Sequence, residues 1–179
     1  LAAKDDPALI ADDERHFAAI ASALAQRVAD LEHRLATLRR APGGKGQAAL
    51  DRDLEIHRVA GQLRQLRRYG LDACLGRIIG SDDPAPTYIG RFGLTDGDGS
   101  RLLVDWRTPA AEPFFAATHA SPMGLLGRLR YRWTRGRVSD YWDEVFTSAG
   151  LDGHAALDDS SAFIAGLGES RSPRMRDVL

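Results

Sequence analysis

The chain has little cysteine, little lysine and no long apolar run. Cys74 is its single cysteine, which excludes a disulfide framework and a cysteine zinc site. No run of about 18 apolar residues occurs, and the first residues lack a signal-peptide core, so we expect a soluble, cytoplasmic protein without a membrane partner. With 24 basic and 25 acidic residues among 179, a uniformly basic surface is excluded, and any basic patch must be local.

Recognisable catalytic motifs are also missing. The five histidines are scattered, without the i, i+4 pair that a helical metal site uses. No Gly-x-Ser-x-Gly element occurs, and Cys74 has no evident base partner. The GGKG stretch at residues 43–46 lacks the preceding strand and the following hydroxyl of a phosphate-binding loop. We therefore predict that this chain is not an enzyme by its own residues and holds no catalytic group, cofactor or metal.

Apolar residues recur every seven positions through the first forty residues, which is the pattern of a long helix with one apolar stripe. Residues 42–46 contain a proline and glycines that cannot continue a helix, and the same spacing resumes from Ala49. The sequence therefore predicts an antiparallel helical hairpin, a coiled-coil arm over residues 1–70 with its tip near 41–47. Its predicted seam consists of Phe17, Leu24, Val28, Leu31, Leu35, Leu38, Ile56, Val59, Leu63 and Leu66.

Two other arrangements fit the same heptads. The helices could form half of an ordinary bundle, or the seam could pair two chains as a parallel dimer. The remainder of the chain offers no further long helices for a bundle, and the proline-glycine turn argues against a parallel dimer. A protruding arm on a monomeric chain is the interpretation that we favour.

Charged residues cluster around the predicted tip, with Lys45 in the turn and Asp51, Asp53 and Glu55 near the start of the second helix. Carboxylates at a helix N-terminus offset the positive end of its dipole, so a structural role is the first interpretation. The second interpretation is a carboxylate cluster that the arm delivers to a metal or cation elsewhere. The sequence leaves both open.

From Cys74 the apolar period changes to that of β-strands, which predicts a small β-rich globular domain over residues 71–147. One strand is predicted on each side of Asp96-Gly97-Asp98-Gly99, a strong hairpin signal. In RLRYRWTRGR, aromatic and arginine residues alternate, which places the aromatics inside and the arginines outside. Such an arginine face suits nucleic-acid backbone or polymerase, unless the acidic residues that follow pair with it and neutralise it. The row consists of Arg128, Arg130, Arg132, Arg135 and Arg137.

Together these patterns predict an α+β fold, a long antiparallel helical hairpin attached to a small β-rich domain, with short C-terminal helices. Residues 148–179 are predicted to be a linker and the start of a following domain. The final RSPRMRDVL has Ser172-Pro173 as a helix start and then begins an apolar face. We therefore expect the chain to be a piece of a longer protein.

Four segments carry a resemblance to a known family: YIGRFGLT, LLVDWRTPAAEPFFAAT, SPMG and RYRWTRGRVSDYWDEVF. They are similar to the N-terminal region of HelD-type proteins, bacterial superfamily 1 relatives of the UvrD and Rep helicases that bind RNA polymerase and recycle it with ATP. The stretches APGGKGQ and RYRWTRGR look closer to the actinobacterial HelR branch, which is linked to rifamycin tolerance. The resemblance covers essentially the whole chain.

The resemblance implies an arm that enters the secondary channel of core RNA polymerase, as the arm of Gre-type cleavage factors does. It also implies that ATP and magnesium bind an ATPase (helicase 1A) domain that begins near RMRDVL, with its phosphate loop beyond Leu179. Gre-type factors carry acids at the very tip, whereas this tip is PGGKG, which argues against transcript cleavage. The competing hypothesis is a DNA-binding accessory domain of a UvrD-like DNA helicase, with DNA on the arginine row.

Overall fold

The structure is a computed structural model that describes residues 7–146, with side chains described from residue 11 onward. The linker, the short C-terminal helices and the start of a motor domain, predicted for residues 148–179, lie outside the described residues. None of the helices between residues 7 and 146 is long and apolar enough to cross a membrane.

Two long helices form the predicted hairpin. Helix α1 spans Pro7–Arg40 and helix α2 spans Gln47–Tyr69, and the turn between them ends at Gly46, whose φ of 62° suits a glycine. The heptad pattern therefore predicted both helices and their reversal correctly. The residues buried between the helices are Leu31, Leu35, Val59 and Leu63, with Val28, Leu38, Ile56 and Leu66 partly buried beside them.

The rest of the described chain folds into one six-stranded sheet with the order β3-β4-β2-β1-β5-β6. Neighbouring strands are antiparallel except β2 and β4, which are parallel. A 3-10 turn joins α2 to β1, and a short helix α3 precedes β5. The bounds are β1 Cys74–Gly80, β2 Thr87–Gly90, β3 Leu94–Thr95, β4 Arg101–Asp105, α3 Glu112–Ala116, β5 Leu125–Thr134 and β6 Arg137–Val145.

The segment predicted as one strand before Asp96 is two strands. β3 pairs with β4 across the predicted Asp96–Gly99 turn, so that hairpin is confirmed. β2, however, lies on the other side of β4 and runs parallel to it, because the chain reverses direction between Gly90 and Leu94. Period-2 alternation through this segment concealed the reversal, since two short strands separated by a turn can keep the same parity.

Both faces of the sheet are covered, which the sequence pattern did not indicate. One face packs against the first half of α1, and its buried residues include Cys74, Tyr88, Leu129 and Tyr131. The opposite face packs against α3 and the loop before it, through Phe114 and its neighbours. A strand in the middle of this sheet therefore buries the side chains of both parities.

Helix α1 divides its apolar stripe between two partners. Phe17 and Leu24, predicted in the hairpin seam, belong instead to the core on the sheet, whereas the stripe from Val28 onward faces α2. Ile20 is completely buried in the same core, although the heptad pattern did not predict it. The pattern favoured its neighbour Ala21 as an apolar contact, and Ala21 is exposed. The hydrophobic core thus crosses the boundary predicted at residue 70, and the sheet supports the base of the arm.

Candidate functional site

The tip of the arm is a short, exposed turn closed by one side chain. All residues from 41 to 46 are exposed, Lys45 included. The guanidinium of Arg52, in the second turn of α2, donates from Nη1 to the carbonyl oxygen of Ala41 at 3.0 Å. The backbone N–H groups of Ala49 and Leu50 both donate to the carbonyl of Gly46, which begins the helix. The turn is therefore held to α2.

The three carboxylates near the tip do not converge. Asp51 accepts a hydrogen bond from Gln47 Nε2 at 2.8 Å, and the carboxylate of Asp53 is 3.8 Å from Arg52 Nε. Residues two apart on a helix point to different sides, so Asp51 and Asp53 cannot face one ligand together. Within residues 7–146, no group of three or more acidic, histidine or cysteine side chains is arranged to hold a metal ion.

Glu55 is distinct from the two aspartates, because it joins the helices. Its carboxylate forms an ion pair with Arg34 of α1 and a second with Arg58 at 3.5 Å. The side chain of Glu55 is 22% exposed, against 64% for Asp53. The geometry gives Glu55 a role in holding the arm together and leaves Asp51 and Asp53 at the surface.

Two large apolar side chains near the tip are unpartnered, and sequence reasoning missed them. Leu50 is 60% exposed and Leu54 is 69% exposed. They are four residues apart on α2, so they lie side by side on one face of the helix. The signal that could have identified them is their position outside the stripe of Ala49, Ile56 and Leu63. Together they form a small exposed apolar patch on a helix that already has a buried stripe.

The predicted arginine row is split by the fold. Arg128 and Arg130 are buried, so their predicted placement at the surface is wrong. Arg128 donates from Nε to Glu144 Oε2 at 2.6 Å and from Nη1 to the carbonyl of Phe114 at 2.8 Å. Arg130 donates from Nη2 to the same Glu144 oxygen at 2.7 Å. The reason is the second covered face, because α3 and its loop lie over the side of β5 that carries these arginines.

Glu144 is the counter-ion of this buried pair. Burial acts to raise the pKa of its carboxyl, but the hydrogen bonds from Arg128 and Arg130 outweigh burial and hold the pKa below its ordinary value. The alternative that acidic residues of RVSDYWDEV neutralise the row is therefore correct for these two arginines.

The remaining arginines of the row are exposed at the β5–β6 turn. Arg132 places its guanidinium carbon 4.9 Å from the ring centre of Trp142, a cation–π contact across the two strands. Arg135 and Gly136 form the two-residue turn, with φ values of 53° and 73°. Arg137 follows at the start of β6, opposite Thr134. Of the five predicted arginines, these three remain exposed, and they form a basic surface at the turn end of the β5–β6 hairpin.

A known protein family matches nearly all of the helices and strands described above. The family model of the DNA helicase IV HelD N-terminal domain matches residues 10–160, which include α1 from residue 10 onward, α2, α3 and all six strands. The chain belongs to the HelD N-terminal domain family. No curated protein matches it. The resemblance to a HelD-type N-terminal region is thereby confirmed, and the matched region is the N-terminal domain of a helicase.

The buried Cys74 and the half-buried His16 of this HelD N-terminal domain have structural surroundings. Burial raises the pKa of the Cys74 thiol, and the carbonyl oxygen of Cys74 accepts a hydrogen bond from Trp133 Nε1 at 2.6 Å. The His16 ring stacks on Tyr88 with centres 3.6 Å apart, and its Nε2 is 2.9 Å from the carbonyl of Leu102. Burial lowers the pKa of His16. These groups pack α1 on the sheet.

Proposed function

We propose that this HelD N-terminal domain is the part of an ATP-dependent, helicase-like motor that binds core RNA polymerase. In this proposal the arm enters the secondary channel, and the motor uses ATP and magnesium to release or recycle stalled polymerase. ATP binds the parent protein rather than this domain. Tolerance to rifamycin is then the phenotype expected of the parent.

The observation that carries the proposal is the length of the arm beyond the sheet core. Leu24 is the last residue of α1 in that core, and Arg27 and Leu31 still line a groove together with Phe92 and Leu103 of the sheet domain. From Leu31 to Arg40 the helix rises by about 14 Å, and over this length the apolar contact of α1 is with α2, through Leu35 and Leu38. A narrow, two-helix projection of this length suits insertion into a channel.

The residues at the tip of the arm favour contact with the polymerase through apolar side chains and shape, and not through carboxylates that bind a metal ion. The turn is small, Glu55 is occupied by Arg34 and Arg58, and Asp51 and Asp53 point to different sides of α2. Leu50 and Leu54 are the large side chains that this end of the arm offers to a partner. We therefore assign the leucines a contact with the channel wall. The helix-start role expected for the aspartates is not supported, because α2 begins at Gln47 and both aspartates lie beyond its first turn.

The test is capture of core RNA polymerase by the 179-residue chain carrying Leu50→Ala and Leu54→Ala. The matched control is Leu126→Ala with Val145→Ala, which removes similarly exposed apolar side chains from the sheet. We expect the arm variant to lose at least tenfold in affinity and the control to bind as the parent sequence does. Equal binding by both variants would remove the leucines from the interface, and absence of capture by the unsubstituted chain would refute the proposal.

A further inference from the structure

We infer that the turn end of the β5–β6 hairpin is a contact site for single-stranded nucleic acid, formed by Arg132, Arg135 and Arg137 around Trp142. This site lies on the sheet, apart from the arm, and the inference does not rest on the proposed polymerase contact. The site is smaller than the row of five arginines predicted from the sequence. Arg128 and Arg130 of that row are buried against Glu144 and cannot reach a ligand.

A β-bulge sets the positions of these side chains at the turn end of the hairpin. Arg132 pairs with Asp140, but the next residue, Trp133, pairs with Val138, so Ser139 is an extra residue in β6. Ser139 Oγ donates to the carbonyl of Arg132 at 3.2 Å, which holds the bulge. With this register, Arg137 lies opposite Thr134, which is two residues after Arg132, and Arg137 also borders the groove between β6 and α1.

The charge at this end is unbalanced in favour of the arginines. Glu144 neutralises the buried part of the row, whereas Arg132, Arg135 and Arg137 are exposed. Within residues 7–146 neither Arg135 nor Arg137 forms an ion pair. Asp140, opposite Arg132 and half-buried, is the carboxylate that the register places among them, and Glu14 of α1 lines the same groove as Arg137 and Asp140. Three guanidinium groups against these two carboxylates leave a net positive surface for an anion.

The turn residue itself argues for a function at the surface. Positive φ at both central positions defines a type I′ turn, in which asparagine and glycine are the favoured residues. Arg135 has a φ of 53°, a conformation that a long side chain adopts at a cost. The strain is at the apex of the hairpin, where the side chain projects into solvent. The turn therefore holds the Arg135 side chain at the apex of the hairpin, where an anionic ligand can reach it.

The chemistry around Trp142 selects a nucleic acid over a simple anion. Trp142 holds the guanidinium of Arg132 over its ring, which presents a planar cation at the surface. Bases stack on arginine planes and aromatic rings when they are unpaired, while neighbouring arginines bind the phosphates. In a duplex the base faces are occupied by their neighbours. The site therefore fits a single strand better than a duplex.

The experiment measures fluorescence anisotropy of a labelled oligothymidylate of about 20 nucleotides with the 179-residue chain at about 50 and about 200 mM salt. The site variant carries Arg132→Ala, Arg135→Ala and Arg137→Ala. The control carries Arg27→Ala, Arg64→Ala and Arg101→Ala, three exposed arginines elsewhere, so both variants lose the same charge. We expect the site variant to bind at least tenfold more weakly at the lower salt and its salt slope to fall by about 2. The control should stay within twofold of the unsubstituted chain.

A second variant separates binding from folding. Arg135→Gly removes one cation and places the favoured residue at the positive-φ position, so its thermal midpoint should stay the same or rise while its affinity for the oligonucleotide falls. Three results would overturn the inference: no binding by the unsubstituted chain, equal loss in the site variant and the control, or tighter binding to a duplex of the same length. Polymerase capture by the site variant is measured in parallel, and it should be unchanged.

Discussion

Asp13 of α1 and Arg77 of β1 form a buried ion pair, with 3.0 Å between Oδ1 and Nε. The hydroxyl of Tyr88 donates to the same Asp13 oxygen at 2.7 Å. Burial acts to lower the pKa of Arg77, but the Asp13 carboxylate together with the nearby Tyr131 and Tyr88 outweighs burial, and the pKa lies above its ordinary value. A charged pair therefore fixes the first half of α1 on the sheet, and through α1 it sets the direction of the arm.

Breaking this pair from one side should destabilise the protein strongly. Asp13→Ala leaves the Arg77 guanidinium buried without its counter-ion, and we expect a loss of about 3–5 kcal/mol in the free energy of unfolding. Asp13→Leu combined with Arg77→Met should cost less than either single substitution, because no isolated charge remains. Denaturant unfolding followed by circular dichroism measures all the variants. A loss under about 1 kcal/mol for Asp13→Ala would show that α1 does not depend on the pair.

The seam between the helices should carry the stability of the arm. Leu31 is 5% exposed in the core between α1 and α2, so Leu31→Ala should cost about 2–4 kcal/mol. Leu54→Ala is the matched control, because Leu54 lies on the same arm at 69% exposure and should change stability by less than about 0.5 kcal/mol. Similar losses in the two variants, again by denaturant unfolding, would contradict the pairing of the helices described here.

Gly76 lies in β1 where β5 and α3 both pack closely against the strand. A Cβ atom at this position would lie 2.1 Å from the carbonyl oxygen of Leu129 and 2.7 Å from the ring of Phe114. Gly76→Ala should therefore destabilise the fold by about 1–3 kcal/mol or more, since backbone and a packed ring must move. Gly97→Ala, where a Cβ atom meets nothing within 4 Å, is the control and should be nearly neutral. An alanine at residue 76 that left the melting temperature unchanged would be incompatible with this packing.

Acid should weaken the protein through Glu144. Its pKa in the folded state lies below the ordinary value of 4.5, so the unfolded chain binds the proton first as the pH falls. The stabilisation by Glu144 is therefore fully present above about pH 4.5 and is lost as the pH falls through the lower, folded-state pKa. Glu144→Gln should be less stable at neutral pH and should show a shallower loss of stability below pH 4.5. Parallel pH profiles for the two proteins would argue against the Arg128–Glu144–Arg130 arrangement.

Local sequence patterns were sufficient for the elements that depend on one periodicity. The heptads predicted the hairpin, and the aspartate-glycine turn predicted the pairing of β3 with β4. Both signals are contained in short stretches of chain, because helix faces and tight turns are determined by neighbouring residues.

Burial that depends on distant segments could not be predicted from the same patterns. Asp13 is a carboxylate on a helix, and its partners Arg77 and Tyr88 are far away in sequence. Arg128 and Arg130 alternate with aromatics as surface residues do, and only the packing of α3 over that face buries them. Alternation identifies the two faces of a strand but not whether the second face is covered.

Shortening the arm tests directly whether the arm is the part of the chain that binds RNA polymerase. Replacing Leu31 to Arg58 by a short glycine turn shortens both helices equally and leaves the contacts of Phe17, Ile20 and Leu24 with the sheet in place. Binding of the intact and shortened chains to immobilised core RNA polymerase is compared after circular dichroism has shown that the sheet is folded. We expect saturable binding by the intact chain and none by the shortened one. Equal affinity of the two chains would show that the arm is not the part that engages the polymerase.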